Sequence, residues 1–147
     1  MSYPQKTVIA VNLNSDYKKM LAPIKEMSFL NTSEIHLVYV FPSISYGFVF
    51  EGTLSFPVPD EKDKIQEKVN TLLSEIEKNL LPTHKGTVKK VSLFDESPSE
   101  AINKYINEQK ADLAIVATGL RKGIFESSVA TYLSKHSSAN LLVIRPH

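Results

Sequence analysis

The run Thr118-Gly-Leu-Arg-Lys-Gly123, with Ser127 and Ser128 just beyond it, is where residue types and spacing come closest to chemistry. It sits between two apolar segments, Asp112-Leu-Ala-Ile-Val-Ala117 and Leu141-Leu-Val-Ile-Arg145, which read as buried strands with one short helix between them. A strand-to-helix turn leaves backbone N–H groups unpaired at the helix start, and α/β proteins hold phosphate there. In such a cradle Arg121 and Lys122 add positive charge, Gly119 and Gly123 let the backbone approach the anion, Ser127 caps the helix and Ser128 offers a hydroxyl. The competing reading is a solvated turn with two cations in water. The turn alone does not choose between them.

Other chemistry is weaker. Ser127, Ser128 and His136 contain a nucleophile type and a base type, but no G-x-S-x-G elbow surrounds either serine, and Ser128 and His136 lie two helical turns apart on one element. Helix capping and surface placement are the simpler roles. The four histidines, His36, His84, His136 and His147, lack metal-ligand spacing such as i, i+4 with a third ligand. No catalytic residue and no metal ligand is assigned.

Five strands and the helices between them must position these groups. Thr7-Val-Ile-Ala-Val11 is β-branched and continuous, as for a strand covered on both faces. Ser15 or Asp16 can cap a helix running to about Leu30, with Met20, Leu21, Ile24 and Met27 inward and a kink or late start at Pro23. Glu34 to Phe41 is the second strand. Ile65, Val69, Leu72, Leu73, Ile76 and Leu80 recur at helical spacing up to Pro82, and the charged run from Asp60 to Lys68 is the wet face of that helix, with pairs such as Asp60–Lys64.

Val88 to Phe94 follows as a strand. Ser97-Pro98-Ser99-Glu100 combines a cap, a proline at the first helical position and a glutamate able to close a capping box. The helix behind it turns Ala101, Ile102, Tyr105 and Ile106 inward. Strand four starts at Asp112, a helix covers about Phe125 to His136, and strand five ends the pattern. Strands alternating with helices give a single α/β domain over residues 1–147, doubly wound, with a mainly parallel sheet and helices on both faces.

Lys plus Arg (17) nearly cancels Asp plus Glu (16), so the chain lacks the electrostatic footprint of a nucleic-acid or anionic-membrane binder. No cysteine is present, which removes disulfides, thiolate nucleophiles and zinc–thiolate sites. With no apolar run near the roughly 20 residues of a membrane span, a cytoplasmic protein is the expectation.

Val8-Ile-Ala-Val-Asn12, Leu37-Val-Tyr-Val-Phe-Pro42, Ser97-Pro-Ser-Glu-Ala-Ile102, Ala111-Asp-Leu-Ala-Ile-Val116, Ser128-Val-Ala130 and Leu141-Leu-Val-Ile-Arg-Pro146 together resemble the universal stress protein domain, in the family's order over nearly the whole chain. The resemblance implies a five-stranded parallel sheet of order 3-2-1-4-5, adenine nucleotide alpha hydrolase-like, usually in a cytoplasmic homodimer tied to stress survival. Some members bind ATP through an aspartate after strand one and a pattern G-x2-G-x9-G-[ST] after strand four.

This chain departs from that pattern. Asn12 stands at the aspartate, Thr118 at the first glycine and Ser127 at the glycine before Ser128, while Val40, Ser128 and Val129 still match. Thr118 to Ser128 is eleven positions, against fifteen in the pattern. The expectation is therefore a non-catalytic stress-response or regulatory protein with weak or absent ATP binding. The first rival is an ATP- or AMP-binding switch, with Asn12 and Val40 near the nucleoside, Arg121, Gly123, Ser127 and Ser128 near the phosphates, and Val129 also in the binding set. The second is a slow nucleotide hydrolase, disfavoured because no base, metal set or P-loop is in evidence.

Two segments suggest contacts. Between Phe41 and Val58, Tyr46, Phe48, Val49, Phe50, Leu54 and Phe56 are too apolar for a freely solvated loop. That loop either covers the carboxyl ends of the strands, meets a second subunit, or packs on its own sheet as extra core. Leu141 to Arg145, as an edge strand, would expose unpaired backbone unless it met its twin across a two-fold axis. Leu141, Val143 and Arg145 would share one face, with Leu142 and Ile144 on the other.

Overall fold

Continuous apolar runs set the frame, because a parallel strand buried on both faces has no polar side to show. In the computed structural model, which describes residues 3–11, 17–42, 59–80, 84–95, 97–117 and 124–144, these runs form strands β1 (Lys6–Ala10), β2 (Glu34–Pro42), β3 (Val88–Asp95), β4 (Leu113–Ala117) and β5 (Asn140–Ile144). They pair in parallel in the order β3-β2-β1-β4-β5. Helices α1 (Tyr17–Ile24), α2 (Pro59–Leu80), α3 (Pro98–Gln109) and α4 (Ile124–His136) alternate with them.

Strand periodicity divides the core in two. Ile9, Ile35, Leu37, Leu113, Ile115 and Ile144 turn to one side, against Ile24 of α1 and Val69, Leu73 and Ile76 of α2. Val8, Val38, Val40, Ala114 and Val116 turn to the other, against Ala101, Ile102 and Ile106 of α3 and Val129, Ala130 and Leu133 of α4. The inward stripe expected for α2 is buried at Val69, Leu73 and Ile76, while Glu67, Lys68, Asn70, Thr71 and Glu75 face water. Lys90 of β3 fastens the helix from outside through Glu77, at 3.3 Å.

Some boundaries differ from expectation. Helix α1 stops at Ile24 instead of reaching Leu30. Pro23 lies one residue before that end, and the chain tightens there through Glu26 N–H to Pro23 C=O (3.1 Å) and Met27 N–H to Ile24 C=O (2.9 Å). Beyond this tightened end, one turn of 3-10 helix, Ser28–Leu30, follows. Helix α2 starts at Pro59, six residues before its first expected apolar contact at Ile65, with its proline at the first helical position. Strand β5 is less covered than its apolar run suggested: Val143 is 39% exposed, and of this strand only Ile144 is buried. An edge strand has one hydrogen-bonding neighbour, and here the helices reach over it incompletely.

The aromatic loop, residues 43–58, lies outside the described residues. So do Ser15, Asp16, Pro82 and Arg145, and the side chains of Asp60 and Lys64. Ser97 caps α3 as expected, accepting the Glu100 N–H at 3.4 Å. The helix ends at Lys110, which adopts the left-handed conformation (φ 55°, ψ 46°) and returns its N–H to the carbonyls of Asn107 and Ile106.

A polar cluster joins α3 to the sheet. His36 on β2 is 0% exposed. Its Nδ1 lies 2.6 Å from the Tyr105 hydroxyl of α3, and its Nε2 lies 2.5 Å from the Glu34 carboxylate. Lys89 of β3 and Lys6 of β1 stand 3.9 and 4.0 Å from the same Glu34 oxygen. The hydrogen bond from His36 outweighs the opposing cost of burial and, with the nearby cations, holds the Glu34 carboxyl below the usual carboxylate range. Burial, reinforced by the Glu34 charge, pushes the Tyr105 phenol up, and burial alone does so for Tyr39.

Two outcomes follow. Glycine adopts the left-handed region without the steric cost an L side chain carries, so Lys110→Gly should stabilise the fold by about 0.5–1 kcal/mol in urea titration. A carboxyl whose folded pKa is depressed contributes stability above its unfolded value, about 4.3, and loses it as pH falls through the folded value. The raised phenols contribute below about pH 10 and lose it above. Denaturation midpoints should therefore fall at both extremes. Glu34→Gln should flatten the acid limb, and an unchanged acid limb in that variant would refute the assignment.

Candidate functional site

In an open parallel sheet, ligands bind beyond the carboxyl ends of the strands where the order reverses, because the flanking crossovers leave in opposite directions there. Strand order 3-2-1-4-5 puts that reversal between β1 and β4. The two strands are hydrogen-bonded neighbours, with Ile9 opposite Ile115. β1 ends at Ala10 and Val11 N–H still reaches Val38 C=O at 2.8 Å, so Asn12 follows directly on the last sheet contact. β4 ends at Ala117, and α4 begins at Ile124 after a connection of six residues, 118–123. The first turn of α4 thus starts on the carboxyl side of the sheet, beside the reversal, as an anion cradle requires.

Of the expected site residues, two have described side chains, and the structure brings both into one cluster. Val40, near the carboxyl end of β2, and Val129, in the second turn of α4, are each 7% exposed and belong to the same packed face. They can shape an apolar wall and supply no charge. Asn12, Arg121 and Gly123 lie outside the described residues, with Thr118, Gly119 and Lys122. Ser127 and Ser128 are placed by backbone alone, and that placement corrects one expectation. Helix α4 starts three residues before Ser127, so neither serine is its cap, because a cap is the non-helical residue preceding the first turn. The helical residues at this end whose N–H groups have no carbonyl within the helix to meet are Ile124, Phe125 and Glu126.

Ser128 and His136 share α4 at eight residues' separation, about 12 Å along the axis. The His136 ring is exposed and stacks on Tyr132, with centroids 4.3 Å apart. The helix does not bring serine and histidine together.

The cluster absent from the sequence-based expectations is Glu34–His36–Tyr105. Its signal was the i, i+2 spacing of Glu34 and His36, which puts both on one face of a strand. Tyr105 looked like ordinary core. Carboxylate, imidazole and phenol in series are acid–base chemistry in type, but the ring is fully buried and sits at the amino end of β2, about 13 Å along the strand from Val40. It lies at the opposite end of the sheet from the reversal, with the ring itself closed to solvent. Among the described residues no group of three or more His, Asp or Glu side chains is placed to hold a metal ion.

The same architecture recurs in solved structures. Hypothetical protein MJ0577 superposes with a TM-score of 0.74 at 21% identity, over 97% of each chain. A universal stress protein in complex with cAMP gives 0.65 at 15% identity, over 97% of this chain and 98% of that one. The universal stress protein from Archaeoglobus fulgidus in complex with dAMP gives 0.61 at 19% identity, over 98% and 99%. No curated protein matches the chain. At these identities the superpositions establish the fold, and the family model for the universal stress protein family matches residues 5–145. With that match spanning nearly the whole sequence, and with the sheet order and the crevice it creates, the chain belongs to the universal stress protein family.

Proposed function

We propose that this protein is a non-catalytic regulator of the stress response, acting in the cytoplasm through binding, with weak or absent affinity for ATP. The observation that carries the reading is the short connection between Ala117 and Ile124. A triphosphate is held in such a crossing by backbone N–H groups arrayed along a glycine-shaped loop. Six residues with glycine only at positions 119 and 123 offer fewer of these donors than the longer glycine pattern of ATP-binding members. Asn12, in place of an aspartate, keeps an acceptor for a ribose hydroxyl without the negative charge.

A second reading is favoured by two structural neighbours, one in complex with cAMP and one with dAMP. An adenine nucleotide with a single phosphate makes smaller demands on the loop. The first turn of α4 and Arg121 suit one phosphate better than three. In this reading ATP is a poor ligand and AMP-like ligands are the effective ones. Slow hydrolysis is the least supported alternative, since Ser128 and His136 are too far apart to act together.

Denaturing the purified protein and resolving the supernatant by ion exchange should release no stoichiometric ATP, and calorimetric titration with ATP and magnesium should show no saturation in the micromolar range. Saturable AMP binding without ATP binding would select the second reading. Stoichiometric ATP would overturn the first, and turnover abolished by Ser128→Ala would establish a hydrolase.

We also propose a homodimer formed through Leu141–Arg145. Among the described residues β5 pairs with β4 alone, Val143 is 39% exposed, and Leu141 and Leu142 are only half-buried. A second copy across a two-fold axis would satisfy the open edge and cover this apolar strip. Sedimentation at tens of micromolar should give twice the 16.5 kDa chain mass, and Val143→Lys should shift it towards one chain. A wild-type mass of one chain would exclude this dimer.

A further inference from the structure

We propose that Glu34, His36 and Tyr105 form a proton-operated latch between β2 and α3, in which proton uptake by the buried imidazole releases the Tyr105 hydroxyl and loosens the helix. The geometry fixes the starting state. Nε2 of His36 faces the Glu34 carboxylate at 2.5 Å, and an ionised carboxylate only accepts hydrogen bonds, so Nε2 carries the hydrogen. In the neutral ring Nδ1 then has a lone pair, and the Tyr105 O–H at 2.6 Å donates to it. Each group meets its partner in the polarity it needs.

Proton uptake reverses one of these bonds. Nδ1 acquires a hydrogen pointing at the phenol oxygen, and the phenolic hydrogen must turn away from the only partner the structure gives it among the described residues. The surrounding charge opposes the new cation. Lys6 from β1 and Lys89 from β3 already share the Glu34 oxygen, at 4.0 and 3.9 Å, and no acidic group other than Glu34 is paired with the cluster among the described residues. An imidazolium would be a third cation on one carboxylate, inside a site where the ring has no contact with water. Burying unbalanced charge is costly, and the structure lowers that cost by opening. The element the Tyr105 bond holds is α3, which meets the sheet through Ala101, Ile102 and Ile106 with Tyr105 beside them, whereas β2 is hydrogen-bonded between β1 and β3. Imidazole in general changes charge between about pH 5 and 8, which sets the window for the test.

Hydrogen exchange of the full chain tests this, read as protection factors corrected for intrinsic rates. Between about pH 7.5 and 5.5, amides of α3 should lose roughly tenfold or more of their protection, while those of α2 on the opposite face keep theirs. Tyr105→Phe removes the hydroxyl and keeps the ring, so its α3 amides should be equally protected at both pH values. Nitrogen-15 spectra of the wild-type imidazole should show Nε2–H at the higher pH and both nitrogens protonated at the lower. An imidazole that stays neutral, unchanged α3 protection, an equal fall in α2, or the same fall in Tyr105→Phe would each overturn the proposal. If Tyr105→Phe fails to fold, the wild-type spectra and the comparison of α3 with α2 still decide.

Discussion

Every other element takes its place from β1. Its inner residues Thr7, Val8 and Ile9 are 0% exposed, because β2 and β4 flank the strand and helices cover both faces. Full burial of a Val or Ile side chain contributes about 1.5–3 kcal/mol relative to exposure, a large share of the stability of any one domain. The start of the strand is locked as well. The Asp112 carboxylate accepts the N–H groups of Gln5 (2.9 Å) and Lys6 (3.0 Å), while Asp112 N–H donates to Lys6 C=O. These bonds set the register of β4 on β1, and through it the level at which both strands end beside one another.

Among the described residues, several polar interactions gather at the amino ends of the strands. At the amino ends, Thr7 and Ser33 hydroxyls meet at 2.9 Å, His84 Nε2 donates to Ser33 C=O at 2.5 Å, and Lys6 Nζ donates to Gln109 C=O. The His36 cluster joins the same end. A buried hydroxyl or carbonyl without a partner costs about 1–3 kcal/mol, so each of these bonds penalises slippage of a neighbouring strand. The carboxyl ends of β1 and β4 instead feed connections, and function in this architecture sits on connections held by a rigid frame. Register is held by bonds at the amino ends, away from Asn12 and Ser127, which depart from the family pattern.

Much of this was legible in the residues. Burial on both faces made β1 and β4 recognisable, the stripe from Val69 to Ile76 identified α2, and Ser97-Pro98 marked the start of α3. The end of α1 was harder to place, since a proline near a helix end is compatible with either a kink or a stop, and the contacts beyond it decide. The partial exposure of β5 was hidden because an apolar run has the same appearance at an edge as in the middle of a sheet. The His36–Tyr105 bond joins residues 69 positions apart. It depends on α3 lying across β2, which no local pattern encodes. Of the candidate site residues, only Val40 and Val129 have described side chains, and packing joins those two.

In the proposed reading, length more than composition controls what the crossing between β4 and α4 can hold. Replacing a glycine by serine narrows the backbone conformations available to one residue, and the neighbours can absorb the change. Removing about four residues deletes about four N–H donors, and no side chain can restore them in the same positions. A hydrogen bond to a charged group contributes about 1.5–3 kcal/mol, so losing two of them weakens binding by about 3–6 kcal/mol, a factor of roughly 10² to 10⁴. An affinity in the micromolar range would not survive that loss. A ligand with one phosphate needs only the first turn of the helix, whose N–H groups exist whatever the loop length. The same shortening, in the proposed reading, disfavours a triphosphate and spares a single-phosphate ligand. In the proposed reading, this difference separates the chain from ATP-binding members built on the same sheet.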